Sequence, residues 1–273
     1  MERFTAFPDV DEVLNDLVGR VSNALPAERY GVYLMGSFAT GEGDADSDID
    51  AAIVWDAAGL PDFSDRLMQN AIENARLLNG PRLDPLPASV VFFRGHLLSA
   101  KLPGLLRASK LLAGSDLLSG VEMPTLAEHS RGLEDRARHL MRRVHGIARL
   151  GASVNLPAVE APFFGYTRRL MPWHPPGVDE ATCEMVELAA GLAAPMAVNL
   201  GADFITGKRD AVEKFVSVGA PPWSGFVDAL YRRCRIDWRY RIPEGPDERA
   251  ELSDLCLSLH ALEGHFLQEF GGD

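Results

Sequence analysis

The hydrophobic pattern of the first half of the chain alternates between helical and extended spacing. Apolar residues recur every three or four positions in the N-terminal segment, which Asp9 or Asp11 can cap, and this predicts a helix ending near Leu25. Continuous apolar runs predict buried strands over residues 30–35, 48–55 and 88–93, with helices over residues 61–78 and 95–113. This order predicts helices packed on a short mixed sheet.

The second half of the chain shows only helical spacing. Proline clusters interrupt it, and the helical stretches between them are residues 126–150, 179–200, 208–216, 223–236 and 247–270. We therefore predict an α+β protein with two domains. The first, residues 1–115, holds the short mixed sheet and its helices, and the second, residues 124–273, is all-helical.

Composition narrows the range of partners. With 273 residues and 47% hydrophobic content, the chain is long enough for two domains that each bury a core. Its formal net charge of -12 argues against binding a nucleic-acid backbone, which needs clustered Lys and Arg, and suits a cationic partner better.

The remaining composition indicates a cytoplasmic protein. Three widely spaced cysteines, Cys183, Cys234 and Cys256, suggest reduced core residues rather than a disulfide framework or a CxxC metal site. The N-terminus lacks the basic start and apolar run of a signal peptide. The most apolar stretch, residues 188–200, is shorter than the ~20 residues of a membrane-spanning helix.

One segment carries the strongest chemical signal. Gly36 and Ser37 follow the first predicted strand, and a glycine-dense loop leads to Asp48, Ile49 and Asp50 at the start of the second. Side chains two apart on a strand point to one side, so Asp48 and Asp50 present paired carboxylates while Ile49 faces away.

Paired carboxylates at this spacing suit Mg²⁺, which prefers oxygen ligands and completes its shell with water and substrate phosphates. Gly36 permits close backbone approach, and Ser37 adds a hydroxyl where exposed N–H groups can receive phosphate oxygens. The intervening acids Glu42, Asp44 and Asp46 are expected to be solvated loop charges. The segment therefore predicts a site for a metal-bound triphosphate, of the kind that phosphoryl and nucleotidyl transfer require.

This pattern resembles the signature of the nucleotidyltransferase superfamily, and most closely that of bacterial aminoglycoside adenylyltransferases of the streptomycin/spectinomycin type. That resemblance implies ATP and Mg²⁺, adenylylation of a drug hydroxyl, antibiotic resistance, and a helical C-terminal domain. It also implies that Ser47 contacts the triphosphate. Residues 204–211, Phe-Ile-Thr-Gly-Lys-Arg-Asp-Ala, look like the family segment whose lysine, here Lys208, reaches the phosphates, and Tyr231 falls where the family has a nucleotide-contacting tyrosine.

The sequence departs from the family at the catalytic base. The family draws a glutamate from the start of the third strand, where this chain has Pro87 or Ser89. Asp84 is the nearest acid, but it reaches the metal only if the strand begins earlier than Pro85 and Pro87 favour. Asp84 is therefore a candidate base. The alternatives are another acid, another route of deprotonation, or an acceptor other than the family's usual one.

Several alternatives stay open. Lys208 could be an ordinary surface lysine, and Tyr231 a core tyrosine on a helix. The spacing of Arg138 and His145 resembles that of HEPN-type ribonucleases, although chance explains it better among so many arginines. Besides an antibiotic-modifying enzyme, the chain could be a regulatory adenylyltransferase that acts on protein or RNA. It could also be a nucleotide-binding sensor that lost turnover with its third carboxylate.

Overall fold

A computed structural model describes residues 2–44, 47–56, 62–79, 83–89, 100–147, 161–167, 180–219 and 221–270. The chain divides into two compact units, residues 1–124 and residues 125–273. The fold class predicted from the sequence is confirmed, because a small mixed sheet with helices is followed by a mostly helical region.

The described residues of the first unit contain a four-stranded sheet. Its helices are α1 (Pro8–Ala24), α2 (Gly36–Thr40), α3 (Asp62–Asn79) and α4 (Leu102–Ala108), and its strands are β1 (Tyr30–Leu34), β2 (Ile49–Trp55), β3 (Leu83–Ser89) and β4 (Lys110–Gly114). The strand order is β3-β2-β1-β4. β1 is antiparallel to both β2 and β4, whereas β2 and β3 are parallel and are joined through α3.

The sheet buries apolar side chains on both faces. One face, with Ile49 and Ile53 of β2, belongs to the larger core, which also contains the apolar side chains of α1 and α3. The other face, with Ala52 and Val54, packs with Tyr33 and with leucines of α4. This double burial explains why β2 is apolar on both alternating faces once its aspartates are passed.

The start of α1 differs from the prediction that Asp9 or Asp11 caps it. The helix begins at Pro8 after Phe7, and no side chain caps its N-terminus. Proline suits this first position, because its missing N–H would have no partner within the helix. Asp11 instead lies within the first turn, where it is buried and accepts hydrogen bonds from Phe4 and Thr5.

The third strand also differs from its predicted bounds. It runs over Leu83–Ser89, not over residues 88–93, of which residues 90–93 lie outside the described residues. β3 stands at the end of the strand order, where proline is tolerated. Pro85 and Pro87 are two positions apart, so their nitrogens face the same side of the strand, and the register with β2 continues past both.

The sequence missed the fourth strand. Residues 95–113 were expected to be one helix, but α4 ends at Ala108, and residues 110–114 form β4 beside β1. Residues 95–99 lie outside the described part. The short apolar run 111–113 fits either period, and pairing with β1 decides between them.

The second unit is built around one apolar helix. Its helices are α5 (Leu126–His145), α6 (Cys183–Asn199), α7 (Lys208–Ser217), α8 (Trp223–Tyr231) and α9 (Pro246–Phe270). α6 contacts all four others and is buried on every side between Leu188 and Val198. α5 begins with a capping box of Thr125 and Glu128 and stops before Gly146, short of the predicted residue 150.

Cys234 and Cys256 are buried and Cys183 is partly buried, and none of the three is in a disulfide bond. Within the described ranges, no helix combines the length and the apolar character that a membrane crossing requires.

Candidate active site

Gly36 packs directly against the carboxylate of Asp50. An ideal Cβ at position 36 would lie 2.1 Å from Asp50 Oδ2, and the φ of Gly36 is +62°, in the left-handed region. The neighbouring N–H of Met35 donates to the carbonyl of Asp50 at 2.9 Å. Only glycine fits this position, because it needs neither space for a Cβ nor a negative φ.

Asp48 and Asp50 stand at the edge of the core. Both are partly exposed, and Ile49 between them is fully buried. Ile49 faces the larger core, so Asp50 lies on the other face of β2, in line with Ala52 and Val54. The apolar sheet thus fixes the direction of Asp50 while leaving its carboxylate accessible.

Asp84 is the register partner of Asp50. β3 pairs with β2 in parallel, with Ile49 opposite Leu83 and Asp50 opposite Asp84. Leu83 and Ile49 are buried in the same core cluster, so Asp84 and Asp50 share the opposite face. Neighbouring strands lie about 4.8 Å apart, so the backbones of Asp50 and Asp84 are close enough for both carboxylates to serve one bound ion or substrate group. The strand therefore begins earlier than Pro85 and Pro87 favour, which is the condition set above for Asp84 to reach the metal.

α2 replaces the first part of the predicted loop, residues 36–47. Gly36, exposed, and Ser37, partly buried, form its first turn, where N–H groups have no partner within a helix. The carbonyl of Ser37 accepts hydrogen bonds from the N–H groups of Glu42 at 2.7 Å and Gly43 at 2.9 Å. These bonds hold the chain that follows α2 against that helix.

Ser47 is bonded to Asp44. Its hydroxyl donates to Asp44 Oδ1 at 2.9 Å and accepts from the Asp44 N–H at 3.1 Å, while its own N–H donates to the Asp44 carbonyl at 3.2 Å. Ser47 is only 2% exposed. Asp44 is thus more than the solvated loop charge expected from the sequence, and no spacing rule in the sequence signals this pairing.

Lys208 and Tyr231, the two predicted nucleotide contacts of the second half, belong to the helical unit. Lys208 is the exposed first residue of α7, and Tyr231 is the partly buried last residue of α8. Burial raises the pKa of Glu187, but the charges of Lys208 and Arg143 outweigh it and hold that pKa below its usual value. Lys208 therefore lies in the field of a carboxylate on α6.

The helical unit also contains a buried polar cluster that the sequence did not reveal. Glu263 is fully buried; His145 Nε2 lies 2.8 Å from its Oε1, and the Tyr166 hydroxyl donates to its Oε2 at 2.5 Å. Burial alone would raise the pKa of Glu263, but the hydrogen bonds of His145, His260 and Tyr166 lower it below its usual value.

The contacts of Arg138 and His145 argue against the ribonuclease-like interpretation of their spacing. The side chain of His145 is 3% exposed and bonded to Glu263, and Arg138 donates to the backbone carbonyl of Phe270. Both side chains therefore serve the packing of α5 on α9.

The described residues could supply only part of the coordination shell of a magnesium ion. No three His, Cys, Asp or Glu side chains of the described residues are grouped so that they could hold a metal by themselves. Mg²⁺ usually keeps several waters and takes other ligands from phosphates, so one or two carboxylates suffice in nucleotide sites. Asp48 and Asp50, with Gly36 kept clear of the carboxylate, supply that number.

The model of one protein family, the nucleotidyltransferase domain, matches residues 14–84. The match covers roughly a quarter of the chain, from within α1 to Asp84, and includes Gly36, Asp48 and Asp50. This match supports a relationship to the nucleotidyltransferase superfamily and a function in nucleotidyl transfer in general. No curated protein matches the chain at a significant level.

Proposed function

We propose that the first unit binds a magnesium-bound ATP through Asp48, Asp50, Gly36 and Ser37, and transfers its AMP group to a hydroxyl of a small cationic acceptor. The observation that carries the proposal is the pairing of Asp50 with Asp84 on parallel strands beside Gly36. Asp84 would act as a third carboxylate beside Asp48 and Asp50, and all three residues lie within the stretch that the family model matches.

The reaction needs little covalent chemistry from the protein. The acceptor oxygen attacks the α-phosphorus, the bond to the bridging oxygen breaks, and pyrophosphate leaves. When bound, Mg²⁺ neutralises charge on the phosphates. Asp48 and Asp50 would hold the ion, and the backbone of Gly36 and Ser37 would receive phosphate oxygens.

Asp84 is our candidate for the proton acceptor. A general base must lie within hydrogen-bond reach of the attacking hydroxyl, and Asp84 is exposed on the same face as Asp50. Its carboxylate would take the hydroxyl proton as the oxygen attacks. This role separates Asp84 from Asp48 and Asp50, which would act on the metal and the triphosphate.

The choice of ATP and of an aminoglycoside-type acceptor rests on the resemblance of the sequence to antibiotic adenylyltransferases. The net charge of -12 supports a cationic acceptor and disfavours RNA. The same resemblance is our reason for proposing that Lys208 and Tyr231 contact the nucleotide. The sensor alternative depended on a missing third carboxylate, and the register pairing of Asp84 with Asp50 favours an enzyme over a sensor.

The direct test measures pyrophosphate release from labelled ATP and Mg²⁺ with a panel of aminoglycosides, followed by mass spectrometry of the acceptor. D50N should abolish turnover, whereas D56N, just beyond the far end of β2, should leave it unchanged. Turnover that survives in D50N would overturn the site. ATP binding without transfer to any acceptor would favour the sensor.

A further inference from the structure

The three hydrogen bonds between Asp44 and Ser47 come immediately before Asp48 in the chain. They use the Ser47 hydroxyl as both donor and acceptor and also its N–H. Ser47 is only 2% exposed, so its hydroxyl is bonded to Asp44 beneath the surface. Asp48 lies between Ser47 and the first residue of β2, so the bonds that hold Ser47 in place also restrict the position of the Asp48 backbone.

The segment that precedes Asp44 is held just as firmly. The N–H groups of Glu42 and Gly43 both donate to the Ser37 carbonyl on α2. Gly43 also lies against the ring of Phe38, since a Cβ at position 43 would come within 2.3 Å of Phe38 Cδ1. The chain is thus anchored on α2 at one end and bonded by Asp44 and Ser47 at the other.

A carboxylate beside a triphosphate is unfavourable unless it binds the metal or has a structural task, because like charges repel. Asp44 has a visible task, since its side-chain oxygen and its backbone both bond Ser47. From this geometry we infer that Asp44 and Ser47 are positioning residues that orient Asp48, and that Ser47 acts through Asp44 rather than on the phosphates. The inference rests on the proposed function.

Four variants separate positioning from direct phosphate contact. S47A and D44A each break the side-chain bond, whereas D44N keeps an acceptor oxygen and removes only the charge. E42A is the matched control: it removes an exposed acidic charge from the same segment but leaves the backbone bond of Glu42 to Ser37 in place. Each variant is titrated with Mg²⁺ at fixed ATP, and both nucleotide binding and turnover are measured.

We expect D44A to raise the Mg²⁺ concentration for half-maximal binding by a factor of about ten, the scale of one lost hydrogen bond. S47A should raise it at least as much, because it also removes the bond from the Asp44 N–H to the Ser47 hydroxyl. Turnover should recover at saturating Mg²⁺, which a general loss of structure would not allow. The double variant should match S47A, because S47A already removes every side-chain bond between the two residues. D44N should show a smaller rise than D44A because it keeps an acceptor oxygen, and E42A should behave like the wild type.

The opposite pattern would overturn the inference. If S47A weakens ATP binding while D44A behaves like E42A, Ser47 contacts the phosphates directly. If both variants bind like the wild type while D50N does not, the inference fails and the proposed function stands. If D50N also binds Mg²⁺ and ATP normally, the proposed function itself has failed. Asp44 is exposed, so D44A and D44N carry the test even if S47A destabilises the fold.

Discussion

The carboxylate of Asp50 occupies the space that any side chain at position 36 would need. A Cβ on Gly36 would lie 2.1 Å from Asp50 Oδ2, and the positive φ of Gly36 adds a second restriction. The glycine of the Gly-Ser pair is therefore required by the carboxylate it faces, which links two parts of the motif that are separated in sequence.

We expect G36A to lower turnover by about 100-fold, because a methyl group that displaces a reacting or metal-binding group by about 1 Å has effects of this size. G41A is the control, since Gly41 also has a positive φ but has open space around its Cβ position. G41A should lose about 1–2 kcal/mol of unfolding free energy from backbone strain, and G36A should lose more because its methyl group also meets the carboxylate of Asp50. Equal activities of the two variants would show that the contact with Asp50 is unimportant.

Asp84 and Asp50 should give different kinetic defects although they are paired. D84N should lower turnover by about 100- to 1,000-fold, the usual contribution of a general base, while ATP and Mg²⁺ still bind. D50N should lose binding as well. Steady-state kinetics together with equilibrium nucleotide binding distinguish the two. If D84N keeps full turnover, the proton leaves by another route.

The sequence predicted those helices and strands whose positions are set by the burial of apolar side chains alone. Val10, Leu14 and Leu17 mark the inner side of α1, and the apolar run after Asp50 marks β2. The start of β3 could not be found in this way, because Pro85 and Pro87 read as strand breakers unless the strand is known to lie at the end of the sheet.

The candidate site likewise has some features that the sequence predicts and others that depend on the folded structure. The spacing of Asp48 and Asp50 is local and was visible in the sequence, but the approach of Asp84 depends on the pairing register of two strands. The bond between Asp44 and Ser47 depends on side-chain positions that no periodicity encodes. Likewise, β4 exists because β1 offers it a partner, not because its own residues favour a strand.

Asp11 ties the N-terminal segment to α1. Its Oδ1 accepts from the N–H groups of Phe4 and Thr5 and from the Thr5 hydroxyl, and the residue is 3% exposed. D11A should lower the free energy of unfolding by about 1–3 kcal/mol, because the partly buried donors of Phe4 and Thr5 lose their acceptor. Urea denaturation measures this. D9A, which removes the exposed carboxylate of the same turn, should cost less, and equal losses would contradict the assignment.

Glu263 should make the helical unit sensitive to acid. Burial opposes its ionisation, but the hydrogen bonds of His145, His260 and Tyr166 lower its pKa below the usual 4.5. A carboxyl group whose pKa is lower in the folded state stabilises the fold above its unfolded pKa, and this stabilisation is lost as the pH falls through the folded value. E263Q should therefore lower the free energy of unfolding by about 2–4 kcal/mol at neutral pH, because it breaks a buried charged network.

The same comparison at low pH tests the cause. Once Glu263 is protonated in the wild type, the difference from E263Q should shrink, and urea denaturation at about pH 7 and about pH 3 measures both values. E251Q is the control, because Glu251 forms a close ion pair with Arg233 on the surface, where such pairs contribute little. A difference between wild type and E263Q that stays constant with pH would mean that Glu263 stabilises the unit through its shape and not through its charge.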